Sequence, residues 1–273
     1  MLVTALWFVG SMVGIIAVAR FGLYEPAQKL ARAANFSRSA TGQMLGYLTS
    51  APELVATIFV AATGLFAVVS TNILGSNIIN VLLATVAALW FKQMGTLGGK
   101  EFRFEQAIVI GSIVVPIALL VTGQDTALWS GIALFAGYLA YLRVMRGRHE
   151  APAPVEGEDA VRPFADGNSK GKIAVQIAIL VAGIVGLYVL GDILGDSVYE
   201  LGVAFAVPAV VLGTLTAIAT SLPELTTFFS SYAAHRKAGT DGNSEVMHNL
   251  MASNVVNLLV VQAVGVGVFT VFA

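Results

Sequence analysis

Leu48-Thr49-Ser50-Ala51-Pro52-Glu53-Leu54 and Ala219-Thr220-Ser221-Leu222-Pro223-Glu224-Leu225 share one frame, T-S-x-P-E-L. Each is followed by a second shared frame, S-N-hydrophobic-hydrophobic-N. It is read in Leu74-Gly75-Ser76-Asn77-Ile78-Ile79-Asn80-Val81-Leu82 and in Met251-Ala252-Ser253-Asn254-Val255-Val256-Asn257-Leu258-Leu259. Self-similarity of this kind marks a duplicated unit. In both copies a glutamate stands inside an apolar stretch, and an ionisable residue at membrane depth marks a functional site by default.

The composition places those stretches in lipid. Of the 273 residues, 57% are hydrophobic and only 11% charged, whereas a soluble domain carries about 25% charged residues. Eight segments approach the roughly 20 apolar residues that a spanning helix needs: 2–20, 43–69, 71–91, 106–123, 126–145, 173–194, 202–232 and 246–271. The first has no basic region ahead of it and reads as a retained span, not a cleaved signal. The polar stretch 146–172, rich in Pro, Gly and charge, reads as a linker between a first membrane half, 1–145, and a second, 173–273.

The basic residues set the orientation. With the N-terminus outside, the cytoplasmic loops hold Arg20, Lys29, Arg32 and Arg38; then Lys92, Lys100 and Arg103; then Arg143, Arg146, Arg148, Arg162, Lys170 and Lys172; and finally Arg236 and Lys237. That is all 15 Lys and Arg, on the side that the positive-inside rule requires. The outer loops carry only the acids Asp125, Asp192, Asp196 and Glu200. In this topology the second span runs outward and the seventh inward, so the two repeats, about 43–91 and 202–271, are inverted. Inverted repeats place ion sites near the bilayer midplane, where discontinuous helices meet.

The residue types suit a hard cation. Pro52 and Pro223 each remove a backbone donor and leave carbonyls near 48–49 and 219–220 without helical partners. Beside them stand the hydroxyls of Thr49, Ser50, Thr220 and Ser221 and the carboxylates of Glu53 and Glu224. The partner spans add Ser76, Asn77 and Asn80, and Ser253, Asn254 and Asn257. Ca2+ takes six to eight such oxygens. There is no cysteine, and the three histidines are scattered, which excludes disulfides and thiolate sites and argues against softer metals. Two carboxylates neutralise one divalent ion or most of the charge of two or three Na+. They also compete for a proton when no cation separates them, which keeps proton coupling open. A lone membrane proline is ordinarily a kink, and Gly10 with Gly14 and Gly191 with Gly195 read as helix packing. Phe and Trp read as lipid-facing or interfacial.

On these two frames the sequence resembles the Ca2+/cation antiporter superfamily, most closely its sodium/calcium exchanger branch. The family carries G-T-S-x-P-E-L and G-S-N-I-x-N or D in two α-repeats; here Tyr47-Leu48 stands where Phe-Gly is frequent, and both repeats end in Asn. The resemblance implies an all-α polytopic transmembrane bundle, here of about eight spans, as a shortened version of a ten-helix fold. It implies exchange of Na+ for Ca2+ by alternating access, in the plasma membrane, with no cofactor. By matching position, Glu53 and Glu224 are the shared ligands, Thr49, Ser50, Ser76, Thr220, Ser221 and Ser253 add oxygens, and Asn80 and Asn257 close the site. The interval from glutamate to serine is 23 residues in the first repeat and 29 in the second, the excess falling around His235–Glu245. The second unit lacks the last two spans of the ten-helix fold, which leaves two readings: a truncated sequence, or a natural short form that a homo-oligomer completes. Potassium co-transport is disfavoured without the acid that several relatives have at the last position. The competing readings are an H+/Ca2+ exchanger on the same fold and a non-transporting scaffold or inactive relative. No nucleophile–base pair suggests an enzyme, and basic residues spread over four loops do not form a nucleic-acid surface.

Overall fold

The computed structural model describes residues 1–34, 36, 38–146 and 169–272, so most of the 146–172 linker lies outside the described residues. Among the described residues, eight helices are long and apolar enough to cross a membrane: 2–31, 40–62, 66–90, 100–121, 128–145, 171–204, 209–237 and 243–272. They are numbered here as spans 1 to 8. The chain is an integral membrane protein, an all-helical bundle with two inverted repeats.

Backbone chemistry sets the ends of these helices. Span 2 stops earlier than the 43–69 expected from hydropathy, because Gly64 takes a φ of 82° and turns the chain into span 3 at Phe66. Spans 4 and 7 end on Gly123 and Gly239, also left-handed, at φ 66° and 65°. Beyond each, the next amide donates back to the last turn, Gln124 N–H to the Leu119 carbonyl and Thr240 N–H to that of His235. Span 6 runs on to Ala204 as a helix with a final π-helical turn, Glu200–Ala204. Asp192, Asp196 and Glu200, expected in a loop, therefore project from an exposed helical face.

Spans 1 and 6 pack on one another through small residues. Gly22 meets Gly183 backbone to backbone, and a Cβ on Gly14 would lie 2.8 Å from Leu190. Gly195 lets span 6 settle onto Phe59 of span 2. Gly10 has no neighbour within 4 Å, so the packing role expected of it is not found. Trp7, Trp90 and Trp129 are exposed, but Phe8, Phe66 and Phe228 are core residues.

The buried apolar side chains fall into two clusters. One gathers Ala56 and Val60 of span 2, Phe66 to Ile73 of span 3, and parts of spans 1, 6, 7 and 8. The other gathers Ala84 to Ala88 of span 3, Phe228 and Tyr232 of span 7, Val246 to Val255 of span 8, and parts of spans 4 and 5. Along span 3 the interval between them is Ser76, Asn77 and Asn80, all fully buried. A polar layer thus lies between two apolar plugs.

Candidate cation site

Both broken spans break at the same point of the motif. Span 2 consists of Arg38–Thr49 and Ala51–Ala62, hinged at Ser50 with φ −81° and ψ 0°. Span 7 consists of Ala209–Thr220 and Leu222–Lys237, hinged at Ser221 with φ −86° and ψ −4°. The proline sits in the first turn of each second half, where a missing N–H costs least. Its effect falls on the first half, since Pro52 and Pro223 offer no N–H to the carbonyls of Leu48 and Ala219. The glutamate follows at once, in the first turn of a new helix, where the partial positive charge of the helix N-terminus favours a carboxylate.

Each first half packs against the partner repeat, and the two interfaces match residue for residue. Gly42 faces the Glu245 carbonyl and Gly46 faces Ala252. In the mirrored place Gly213 faces the Val68 carbonyl, and Gly75 faces Ala217. Only small residues allow so close an approach. It is this approach that brings side chains of the two repeats within bonding distance.

Glu53 and Glu224 are fully buried and interact electrostatically with one another. Around Glu53 stand the hydroxyls of Ser76, from its own repeat, and Thr220, from the other. Around Glu224 stand Ser253, from its own repeat, and Thr49, from the other. The pattern is the same under exchange of repeats. Ser253 donates to Glu224 Oε1 at 3.0 Å, accepts from Asn80 Nδ2 at 3.1 Å, and lies 3.0 Å from the Ser50 hydroxyl. Ser76, the mate of Ser253, lies 3.5 Å from the Thr220 hydroxyl. Thr49 and Thr220 also bond back to carbonyls one turn earlier, those of Leu45 and Thr216.

Several buried oxygens have no hydrogen-bond partner among the described residues: both of Glu53, Oε2 of Glu224, Oγ of Ser221, and Oδ1 of Asn80 and Asn257. The hydroxyls beside Glu53 come near it without completing such a bond. A buried acceptor left unpaired costs about 1–3 kcal/mol, so a cluster of six is costly unless a cation meets it. The donor set is all oxygen, with charge enough for one divalent ion. Among the described residues no group of three or more His, Asp or Glu is placed to hold a metal, which sets the site apart from zinc or iron centres.

All ten residues expected from the sequence are buried, and the contacts above join eight of them across the repeats. Ser221 and Asn257 enter through burial and unpaired atoms. Asn257 opens a π-helical stretch, Asn257–Val261, a distortion absent from its mate in span 3 and frequent at functional sites. Asn77 and Asn254 reach span 4 as well, while Asn254 Oδ1 accepts from Asn80 Nδ2 at 3.2 Å. Asn77 Nδ2 donates to the Ser112 carbonyl at 2.8 Å, and Asn254 Nδ2 to the Ser112 hydroxyl at 3.1 Å. Ser112 was not expected. It lies outside both repeated frames, and nothing in its own neighbourhood distinguishes it from a packing serine.

Comparison with known proteins follows the same residues. The model of the sodium/calcium exchanger protein family matches residues 3–146 and 175–271. Sodium/calcium exchanger MaX1 of Methanosarcina acetivorans is 30% identical over 97 residues, 36% of this chain and 27% of that protein. The aligned stretch thus spans about a quarter of that relative. Uncharacterized membrane protein MJ0091 of Methanocaldococcus jannaschii is 26% identical over 235 residues, 85% of this chain and 70% of that one. Among solved structures, the H+/Ca2+ exchanger CAX superposes with a TM-score of 0.71 at 12% identity, covering 99% of this chain and 68% of CAX. The sodium-calcium exchanger NCX_Mj superposes with a TM-score of 0.55 at 21% identity, covering 97% and 82%. At those identities the two structures speak to the fold alone.

Proposed function

Given that this chain belongs to the sodium/calcium exchanger protein family, we propose that it is a secondary antiporter carrying Ca2+ one way across the membrane and Na+ the other. The observation that carries the reading is the six unpaired, buried oxygens centred on Glu53 and Glu224. Thr49, Ser50, Ser76, Asn80, Thr220, Ser221, Ser253 and Asn257 complete the donor set. Two carboxylates hold one Ca2+ or two to three Na+, not both loads together, and that exclusivity is the electrostatic requirement of exchange. The hinges at Ser50 and Ser221 let the first half of each broken span move against the second half, which carries the carboxylate, so that one apolar plug opens while the other stays shut. The basic residues support a plasma-membrane orientation with the N-terminus outside.

A second reading, H+/Ca2+ exchange, draws on the absence of any basic partner for either glutamate among the described ion pairs. The T-S-x-P-E frame favours sodium. Radioactive Ca2+ uptake into proteoliposomes separates the two. The sodium reading expects uptake driven by an opposing Na+ gradient, lost in Glu53→Gln and Glu224→Gln. Uptake that follows ΔpH and ignores Na+ overturns sodium coupling. Uptake indifferent to both gradients and to both substitutions overturns transport.

A further inference from the structure

The repeated frame extends one turn further than its serine. Adding 177 to a position in span 3 gives its mate in span 8, 76 to 253 and 80 to 257, and the same step takes Asn72 to Asn249. The full frame is N-x-x-x-S-N-x-x-N in both copies. Asn72 and Asn249 are 2% and 0% exposed. Asn72 Oδ1 and both amide atoms of Asn249 have no hydrogen-bond partner among the described residues. A buried amide so placed calls for an explanation.

Position supplies one. Residues four apart on a helix share a face, so Asn72 lies over the face of Ser76, and Asn249 over that of Ser253. Spans 3 and 8 run in opposite directions. Asn72 is therefore displaced from the ion layer toward the side of the span 4–5 turn, and Asn249 toward the side of the span 7–8 turn. Polar groups continue in both directions. Ser70, two residues before Asn72, donates to Asp125 in the span 4–5 turn at 2.8 Å. Glu245, one turn before Asn249, accepts from Ser231 and lies 3.2 Å from His235 Nε2.

We propose that Asn72 and Asn249 are a matched pair of relay ligands, each offering an amide oxygen to a partly dehydrated cation one helical turn from the central site, on opposite sides of the membrane. The inference rests on the reading of Glu53 and Glu224 as the ion site. Asn72 receives the ion from the Asp125 side and Asn249 from the Glu245 side. A neutral amide suits a way-station. Conduction needs binding strong enough to admit the ion and weak enough to release it, and a carboxylate there would compete with the central pair. Ser76 and Ser253 then take over the ion as it reaches the glutamates.

Proteoliposomes with the protein in one orientation test this, with Ca2+ varied on one face at a time. Asn72→Ala is expected to raise the half-saturating Ca2+ concentration on one face by about five- to tenfold, the loss of one ligand bond, and to leave the opposite face within about twofold. Asn249→Ala is expected to do the same on the opposite face. Equilibrium Ca2+ binding in detergent, by titration calorimetry, stays near wild type for both. Asn→Ser at either position, which keeps an oxygen, recovers part of the loss. Asn→Asp, which keeps the shape, binds more tightly on its own face and lowers the maximal rate. Variants that alter both faces alike, or neither face, or that abolish equilibrium binding, overturn the relay and leave the central site standing. A wild-type protein that binds no Ca2+ overturns the central site and the relay with it.

Discussion

The hydroxyls of Ser50 and Ser253 lie 3.0 Å apart, joining the hinge of one repeat to the unbroken helix of the other. Ser253 is also where the Glu224 and Asn80 side chains meet. Removing it should therefore cost more than removing its mate. Ser253→Ala is expected to weaken Ca2+ binding by about 1.5–3 kcal/mol, the worth of a hydrogen bond to a charged group. Ser76→Ala, whose contact is 3.5 Å, should lose about 0.5–1.5 kcal/mol. Titration calorimetry on the two variants checks the order. An equal loss, or a greater one in Ser76→Ala, contradicts the asymmetry.

Ion binding should stabilise the folded bundle, because the unpaired oxygens belong to the native state alone. At Ca2+ a hundredfold above its dissociation constant the gain is about 2.7 kcal/mol, read as a rise in melting temperature that a chelator reverses. Glu53→Gln and Glu224→Gln keep the shape and remove the charge. Both should melt at a temperature that Ca2+ does not move, and a calcium-induced rise in either would sink the assignment of that glutamate.

Glycine has opposite value at two places. A Cβ at Gly46 would lie 2.5 Å from the Asn249 carbonyl and 2.8 Å from Ala252, whereas one at Gly10 meets nothing within 4 Å. Gly46→Ala should push the first half of span 2 off span 8, with a loss of about 1–3 kcal/mol from overpacking and a weaker ion site. Gly10→Ala should gain about 0.5–1 kcal/mol from helix propensity. Melting curves in detergent decide it, and similar shifts in both would show that the close approach at Gly46 is dispensable.

Ser112 ties span 4 to the polar layer without facing the carboxylates. Ser112→Ala removes one of two acceptors of Asn254 Nδ2, which keeps the Asn77 carbonyl at 3.1 Å. Stability should fall by about 1 kcal/mol with Ca2+ affinity unchanged. A large fall in affinity instead would place Ser112 in the site.

Much of this was legible in the sequence because both signals involved are periodic or repeated. Spans announce themselves by length, and Glu53 and Glu224 by standing in apolar stretches. What escaped was local. Hydropathy carried span 2 through Gly64, since a single left-handed glycine is invisible to an average over twenty residues. The acids Asp192, Asp196 and Glu200 suggested a loop, although an exposed helical face accommodates them. Asn77 and Asn254 share the frame with the proposed site residues, and only the fold shows that both reach Ser112 of span 4. Asn72 and Asn249 lie one turn before the stretch in which the repeat is most obvious, and just ahead of them the aligned residues, Thr71 and His248, differ.

The two apolar plugs also have an electrical meaning. Hydrocarbon-like packing insulates, whereas a hydrated vestibule conducts, so the membrane voltage falls mainly across whichever plug is closed. Moving one net elementary charge through that field is worth about 2.3 kcal/mol per 100 mV. In the proposed exchange, Glu53 and Glu224 supply −2 when both are ionised, which balances a divalent load but not a surplus of monovalent ions. On that proposal, voltage acts on one half of the cycle and spares the other, and the direction of net current reports which load is in excess.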